Sequence, residues 1–293
     1  MLNYILFLIH FEITASQSSI ITGLQTKPPL AKFGLVDITH SVTDFHDTDD
    51  EFIWEKSGLF EGDIVIYNPE RNVLLDRSFR WSNATIPFYI EDKHFKDTEI
   101  ETILSAIREF HTKTCLRLVP YKENDENWIT ITGNENGCWS SVGMKGEGGQ
   151  QLNVFAPNCV RKGIIIHEIL HAAGFYHQHS ATDRDEYVEI LWENIDNKHA
   201  SNFNKYNESV VTDYGVGYDY DSILHYSSKA FSKNGNETII AKRNVSRLGQ
   251  REGFTEKDIL KLNHMYKDSC HDLEPEDENV QEFNIIEWFK SLF

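Results

Sequence analysis

The sequence predicts an α+β fold in two lobes, and three observations predict it. Short strand-like segments and one amphipathic helix precede residue 160. An apolar helix carrying His167 and His171, with His177 shortly after it, follows them. Beyond His177 regular patterning is scarce until Thr255, where a last helix begins.

Each element has a local reason. Thr85-Ile86-Pro87-Phe88-Tyr89-Ile90 reads as a strand rich in β-branched and aromatic residues. Thr98-x-x-Glu101 is a capping box, and Ile100, Ile103, Leu104, Ile107 and Phe110 recur at helical spacing behind it. Leu116–Val119 and Trp128–Thr132 alternate like half-buried strands. Cys138-Trp139-Ser140 and Gly148–Val154 suggest a glycine-bearing loop leading into another strand. Ile164-Ile165-Ile166 opens the histidine helix with an apolar run that belongs in a core. After His177, the charged stretch Asp183-Arg184-Asp185-Glu186 gives way to short segments mixed with aromatics and glycines. The last helix is capped at Thr255, carries Ile259, Leu262, Met265 and Tyr266 on one side, and ends before Cys270. A metal held by the histidines would then lie in a cleft between the lobes.

The central stretch reads H-E-x-x-H-x-x-G-x-x-H over residues 167–177. His167 and His171 are four residues apart, so both imidazoles leave one helical face. Glu168 stands beside them, placed to reach a water on the metal rather than the metal. Gly174 can adopt a left-handed conformation and end the helix, which lets the chain bring His177 back as a third ligand. Three neutral nitrogens and one open position describe a catalytic zinc site. Upstream, Gly62-Asp63 could bring a carboxylate close to such a metal, although the same pair is an ordinary turn.

The 293 residues carry a formal net charge of −18, which disfavours nucleic acid or an anionic membrane as the main partner. The apolar run Met1–Ile9 is too short to span a bilayer and resembles a secretory signal, though it lacks a basic start and is interrupted by His10 and Glu12. Four cysteines suit a secreted chain with two disulfides, and the spacing alone allows three pairings. Four glycosylation sequons begin at Asn83, Asn207, Asn236 and Asn244. The expected organisation is a signal peptide at 1–16, a pro-segment at 17–71, a catalytic domain at 72–270 and an acidic, then apolar, tail at 271–293.

These residues together resemble the astacin family of secreted zinc endopeptidases, a branch of the metzincins. The resemblance rests on Phe60-Glu61-Gly62-Asp63, Gly137–Gly143, the 167–177 block with Asp183-Arg184-Asp185, Ser222-Ile223-Leu224-His225-Tyr226 and Leu248-Gly249-Gln250-Arg251. It implies a twisted, mostly parallel sheet with two helices in the first lobe and an irregular second lobe with one helix. It implies one zinc per chain on His167, His171 and His177, with Asp63 on the metal until a protease cuts at Arg71-Asn72. It implies Glu168 as general base and Tyr226 as a loose fifth ligand or oxyanion donor. It also implies disulfides Cys115–Cys270 and Cys138–Cys159. Arg251 is either a primed-side residue favouring acidic substrates or part of a structural salt bridge; Lys242 and Arg243 read as solvated surface. Three positions depart from the family pattern. Leu224 stands for methionine, a volume-keeping exchange expected to cost below about 1.5 kcal/mol. Gln178 stands for the glutamate that receives the new N-terminus, and Ala181 for an arginine. A silent binding protein on the same scaffold and a zinc hydrolase acting on something other than peptides are the competing readings.

Overall fold

The computed structural model describes residues 25, 27–29, 55, 57–66 and 76–270. The signal-like start, the Arg71-Asn72 junction and the tail from 271 lie outside the described residues.

Among the described residues five strands form the main sheet: β1 (Thr85–Ile90), β2 (Arg117–Pro120), β3 (Trp128–Thr132), β4 (Cys138–Ser140) and β5 (Gly149–Val154), in the order β2-β1-β3-β5-β4. All neighbours are parallel except β4 against β5. The mostly parallel sheet is therefore as expected, with its antiparallel strand at one edge. β3 departs from the half-buried pattern, since all five of its residues are buried. As the central strand it is covered on both faces, and its two threonines are hydrogen-bonded: Thr130 Oγ1 accepts from the Trp128 indole and Thr132 Oγ1 donates to Asn153.

Helix α1 (Asp97–Lys113) buries Ile100, Ile103, Leu104, Ile107 and Phe110. Its start differs from the predicted capping box. Thr98 lies inside the first turn, and the Glu99 carboxylate accepts from the Lys96 backbone N–H at 2.7 Å. Helix α2 (Lys162–Ala173) is buried at every position from Gly163 to Ala173. A helix buried on all sides belongs inside a core, and here its apolar residues lie among isoleucines of the sheet and of α1. Glu109 on α1 joins the two helices by accepting from Lys162 at 2.8 Å, beside its bond to Lys113. The last carbonyls of α2 are capped from outside the helix. The Trp81 indole donates to Ala172 at 2.7 Å and the Tyr266 hydroxyl to Ala173 at 2.8 Å.

After residue 177 the chain is mainly turns and short 3-10 segments, as expected, with one unforeseen pairing. β6 (Val188–Ile190) and β7 (Ile239–Ala241) form a small antiparallel ribbon. The ribbon belongs to a second core built on Phe203, Tyr218, Tyr226 and Leu248. Helix α3 (Glu256–Met265) is capped by Thr255 as predicted. Its Leu262, Met265 and Tyr266 pack with Leu224 into the first core, so the last helix closes the lobe that begins the fold. Cys115 is bonded to Cys270 and Cys138 to Cys159. Among the described residues no helix is long and apolar enough to cross a membrane.

Candidate active site

Gly174, at φ +120°, ends α2, and its backbone N–H caps the carbonyls of Leu170 and His171. The chain reverses there and brings His177 back to the other two histidines. The three imidazoles and Asp63 are all buried, with one potential ligand atom from each lying within 4.8 Å of the rest. His167 Nε2 lies 3.0 Å from Asp63 Oδ2 and 3.0 Å from His171 Nε2. His177 Nε2 is 3.3 Å from Asp63 Oδ2, and His171 Nε2 is 3.6 Å from Asp63 Oδ1.

The outer nitrogens decide what the inner ones can do. His167 Nδ1 meets the Ile223 carbonyl at 2.8 Å, and His171 Nδ1 meets the Phe175 carbonyl at 2.6 Å. His177 Nδ1 meets the Glu61 carboxylate at 2.8 Å. Each partner is an acceptor, so each Nδ1 carries the hydrogen. With its inner nitrogen deprotonated, each ring turns a lone pair toward the centre. Three lone pairs and a carboxylate in a dry pocket call for a cation. Tetrahedral zinc with bonds of about 2.0–2.1 Å sets ligand atoms about 3.3 Å apart, the range observed here. The donor set therefore fits zinc.

The electrostatics follow from burial and proximity. Burial lowers His167 to about 4 and pulls His171 well below its ordinary value. Burial also opposes protonation of His177, but Asp63 and Glu61 outweigh it and raise the ring to about 9. Burial alone would raise Asp63; the surrounding histidines, His177 foremost, hold it well below the carboxylate range. Glu168 is pushed well above that range by burial and then by Asp63. Its two oxygens are buried and make no hydrogen bond among the described residues.

Asp63 arrives on a segment that lies along β4. Val65 N–H donates to the Ser140 carbonyl and Ser140 N–H to the Asp63 carbonyl. Gly62 is required there: at φ +90°, an added Cβ would meet Phe231 at 2.9 Å and the Glu55 carbonyl at 3.0 Å. Glu61 is the most fully engaged residue of the segment. Its carboxylate also accepts from Ser180 Oγ and the Tyr206 hydroxyl, its N–H donates to Asn202, and its carbonyl accepts from the Tyr226 hydroxyl. Tyr226 is buried and stacked on His179 with ring centres 3.7 Å apart.

The segment Ser222–Tyr226 carries the remaining support. Asp258, buried at the start of α3, accepts from Ser222 Oγ at 2.6 Å, Ile223 N–H at 3.0 Å and Thr255 N–H at 3.1 Å. Ile223 in turn accepts from His167, so Asp258 fixes the first histidine through one peptide unit. Asp258→Ala is expected to destabilise the chain by about 2–4 kcal/mol, because buried donors lose a charged acceptor. It is also expected to weaken zinc binding by about tenfold. Urea denaturation and zinc competition check this; a loss below about 1 kcal/mol would contradict it.

Leu224 is buried in the first core, and its carbonyl accepts from Gln178 N–H. The Gln178 side chain accepts from Lys261 Nζ at 2.5 Å. Nothing in the structure explains Ala181. Arg251 donates to the carbonyls of His225 and Gln250, and its charge bears on the buried Glu55 carboxylate. Glu55 itself accepts from Ser227 N–H and Oγ. Asn83, Asn207, Asn236 and Asn244 are all exposed. Sequence reasoning left Glu61 without a role and did not reach Glu55, Ser180, Asn202, Tyr206 or Lys261. Asp258 was legible only as part of a helix start.

The family model described as Astacin, a peptidase family, matches residues 74–267. The chain belongs to the astacin family. It is 35% identical over 246 residues to zinc metalloproteinase nas-15 of Caenorhabditis elegans, covering 75% of this chain and 42% of that protein. It is 41% identical over 214 residues to the meprin A subunit beta of Rattus norvegicus, covering 72% of this chain and 29% of that one. This astacin thus spans less than half the length of either relative. Among solved structures it is similar to high choriolytic enzyme 1, a hatching enzyme zinc-protease from Oryzias latipes. That match has a TM-score of 0.60 and 38% identity, and covers 66% of this chain and 96% of that one. The two-lobed α+β fold is that of the family.

Proposed function

We propose that this astacin is a secreted zinc endopeptidase made as a latent precursor. The observation that carries the reading is Asp63 converging on the same buried point as His167, His171 and His177. The histidines would hold zinc, and Asp63 would take its fourth position until the chain is cut near Arg71. In this reading residues 1–16 are a signal peptide, 17–71 the pro-segment, 72–270 the catalytic domain and 271–293 a tail. The four exposed sequons suit an extracellular glycoprotein.

Bound zinc supplies Lewis acidity at the scissile carbonyl and lowers the pKa of a water toward neutrality. Glu168 takes the proton of the attacking water and passes it to the leaving amine. Tyr226 turns its hydroxyl to the developing oxyanion. Its bond to the Glu61 carbonyl supports this role, since the hydroxyl already donates to a carbonyl oxygen beside the histidine cluster. Ser227 N–H and Oγ donate to the Glu55 carboxylate, whose charge Arg251 also favours, and this supports a preference for acidic substrate residues. Gln178 already accepts from Lys261, so a new N-terminus would meet no carboxylate at residue 178.

The test is to express residues 17–293, cut after Arg71 with trypsin and assay quenched peptides with and without a zinc chelator. Chelator-sensitive cleavage is the expected result. Bound zinc without cleavage would overturn the reading in favour of a silent binding scaffold.

A further inference from the structure

The three metal histidines are oriented in two different ways. His167 and His171 each give their outer N–H to a backbone carbonyl, of Ile223 and Phe175, that stays with the folded domain. His177 gives its outer N–H to the carboxylate of Glu61, a residue of the upstream segment and 116 positions away. A carboxylate behind a metal-bound imidazole fixes the ring and its tautomer and makes the inner nitrogen a better donor. The contact is built rather than incidental. Glu61 and its partners His177 and Ser180 are all buried, and Ser180, Tyr206, Asn202 and Tyr226 hold the remaining polar atoms of Glu61.

We propose that Glu61 is a metal-positioning residue lent by the pro-segment. The uncut chain then holds its zinc more tightly than the cut chain, through His177 as well as through Asp63. This rests on the zinc-precursor reading above. Cutting removes two groups at once: Asp63 from the inner side of the centre and Glu61 from behind the third histidine. The latent form acts as a metal-retaining form, and the cut form depends more on the zinc concentration around it.

The experiment reads zinc release into excess chromogenic chelator from the full chain, carrying Glu168→Ala so that it does not cut itself. Glu61→Gln keeps the side-chain length and an oxygen for Ser180 and Tyr206, but can no longer present a carboxylate to His177. It is expected to speed release by about 10- to 100-fold. Tyr206→Phe removes one anchor of Glu61 and leaves the bond to His177, so it is expected to change release by less than about threefold. Equal acceleration in the two variants would mean that Glu61 only anchors the segment, and an unchanged rate in Glu61→Gln would remove its role altogether; either overturns the proposal. A second comparison covers a Glu61→Gln chain that does not fold. Uncut Asp63→Asn keeps Glu61 behind His177, so it should release zinc more slowly than the cut parent with its pro-segment removed. Equal rates there would overturn the proposal. Zinc uptake and peptidase activity of the parent chain report on the functional reading separately, since release is measured without turnover.

Discussion

A cut chain carrying Glu168→Ala is expected to keep its zinc and lose peptide hydrolysis by about 10²–10⁴-fold, roughly 3–5 kcal/mol of barrier. The expectation comes from where the residue sits. Glu168 directly follows the first metal histidine on α2, is fully buried, and has two oxygens with no hydrogen-bond partner among the described residues. A buried carboxylate left so bare is costly, and folds retain such groups where chemistry uses them. It does not hold the helix. The C-terminal end of α2 is held by other residues: the Ala173 and Ala172 carbonyls are met by Tyr266 and Trp81. The variant should therefore fold with both disulfides formed. Zinc content by metal analysis and initial rates on a quenched peptide measure the two halves of the prediction. Hydrolysis at the parent rate would refute the assignment of Glu168 as the base.

The parts of this site that sequence could show are those set by short spacing. His167 and His171 are one helical turn apart, and Gly174 provides the reversal that returns His177. Strand β1 was read at its observed bounds because its six residues carry their own signal. The disulfide partners came through family resemblance, since four cysteines alone fit three pairings. What escaped was set by distance along the chain. β6 and β7 are three residues each, and their register joins Val188 to Ala241, so neither carries a pattern of its own. β3 looked half-buried because threonine reads as polar, yet both of its threonines find partners inside the sheet region. Asp258 is legible only as part of the helix start after Thr255, while its hold on Ser222 and Ile223 depends on how α3 docks. Glu61 lay within a quoted motif, but nothing local says that its carboxylate meets His177.

An uncut chain carrying Asp63→Ala, with Arg71→Ala to prevent cutting, is expected to hydrolyse peptides where the uncut parent is silent. A tethered carboxylate competes for the open metal position at an effective concentration of millimolar or above. Its loss should raise the initial rate by roughly 10- to 100-fold over the uncut parent. The rate should still fall short of the cut parent, because the segment keeps its other holds. Glu61 remains bonded to His177, Ser180, Tyr206, Asn202 and Tyr226, Glu55 remains on Ser227, and Val65 remains paired with Ser140. On the proposed precursor reading, two components of latency would be separable: a carboxylate that would fill the metal position, and an upstream segment that engages Ser140 and the Tyr226 hydroxyl. Initial rates on one quenched peptide, for uncut parent, uncut variant and cut parent, order them directly. If the uncut variant is as silent as the uncut parent, coverage of the cleft alone enforces latency, and Asp63 is dispensable to it. If it matches the cut parent, the carboxylate alone does so, and the five bonds to Glu61 serve the metal rather than the lock.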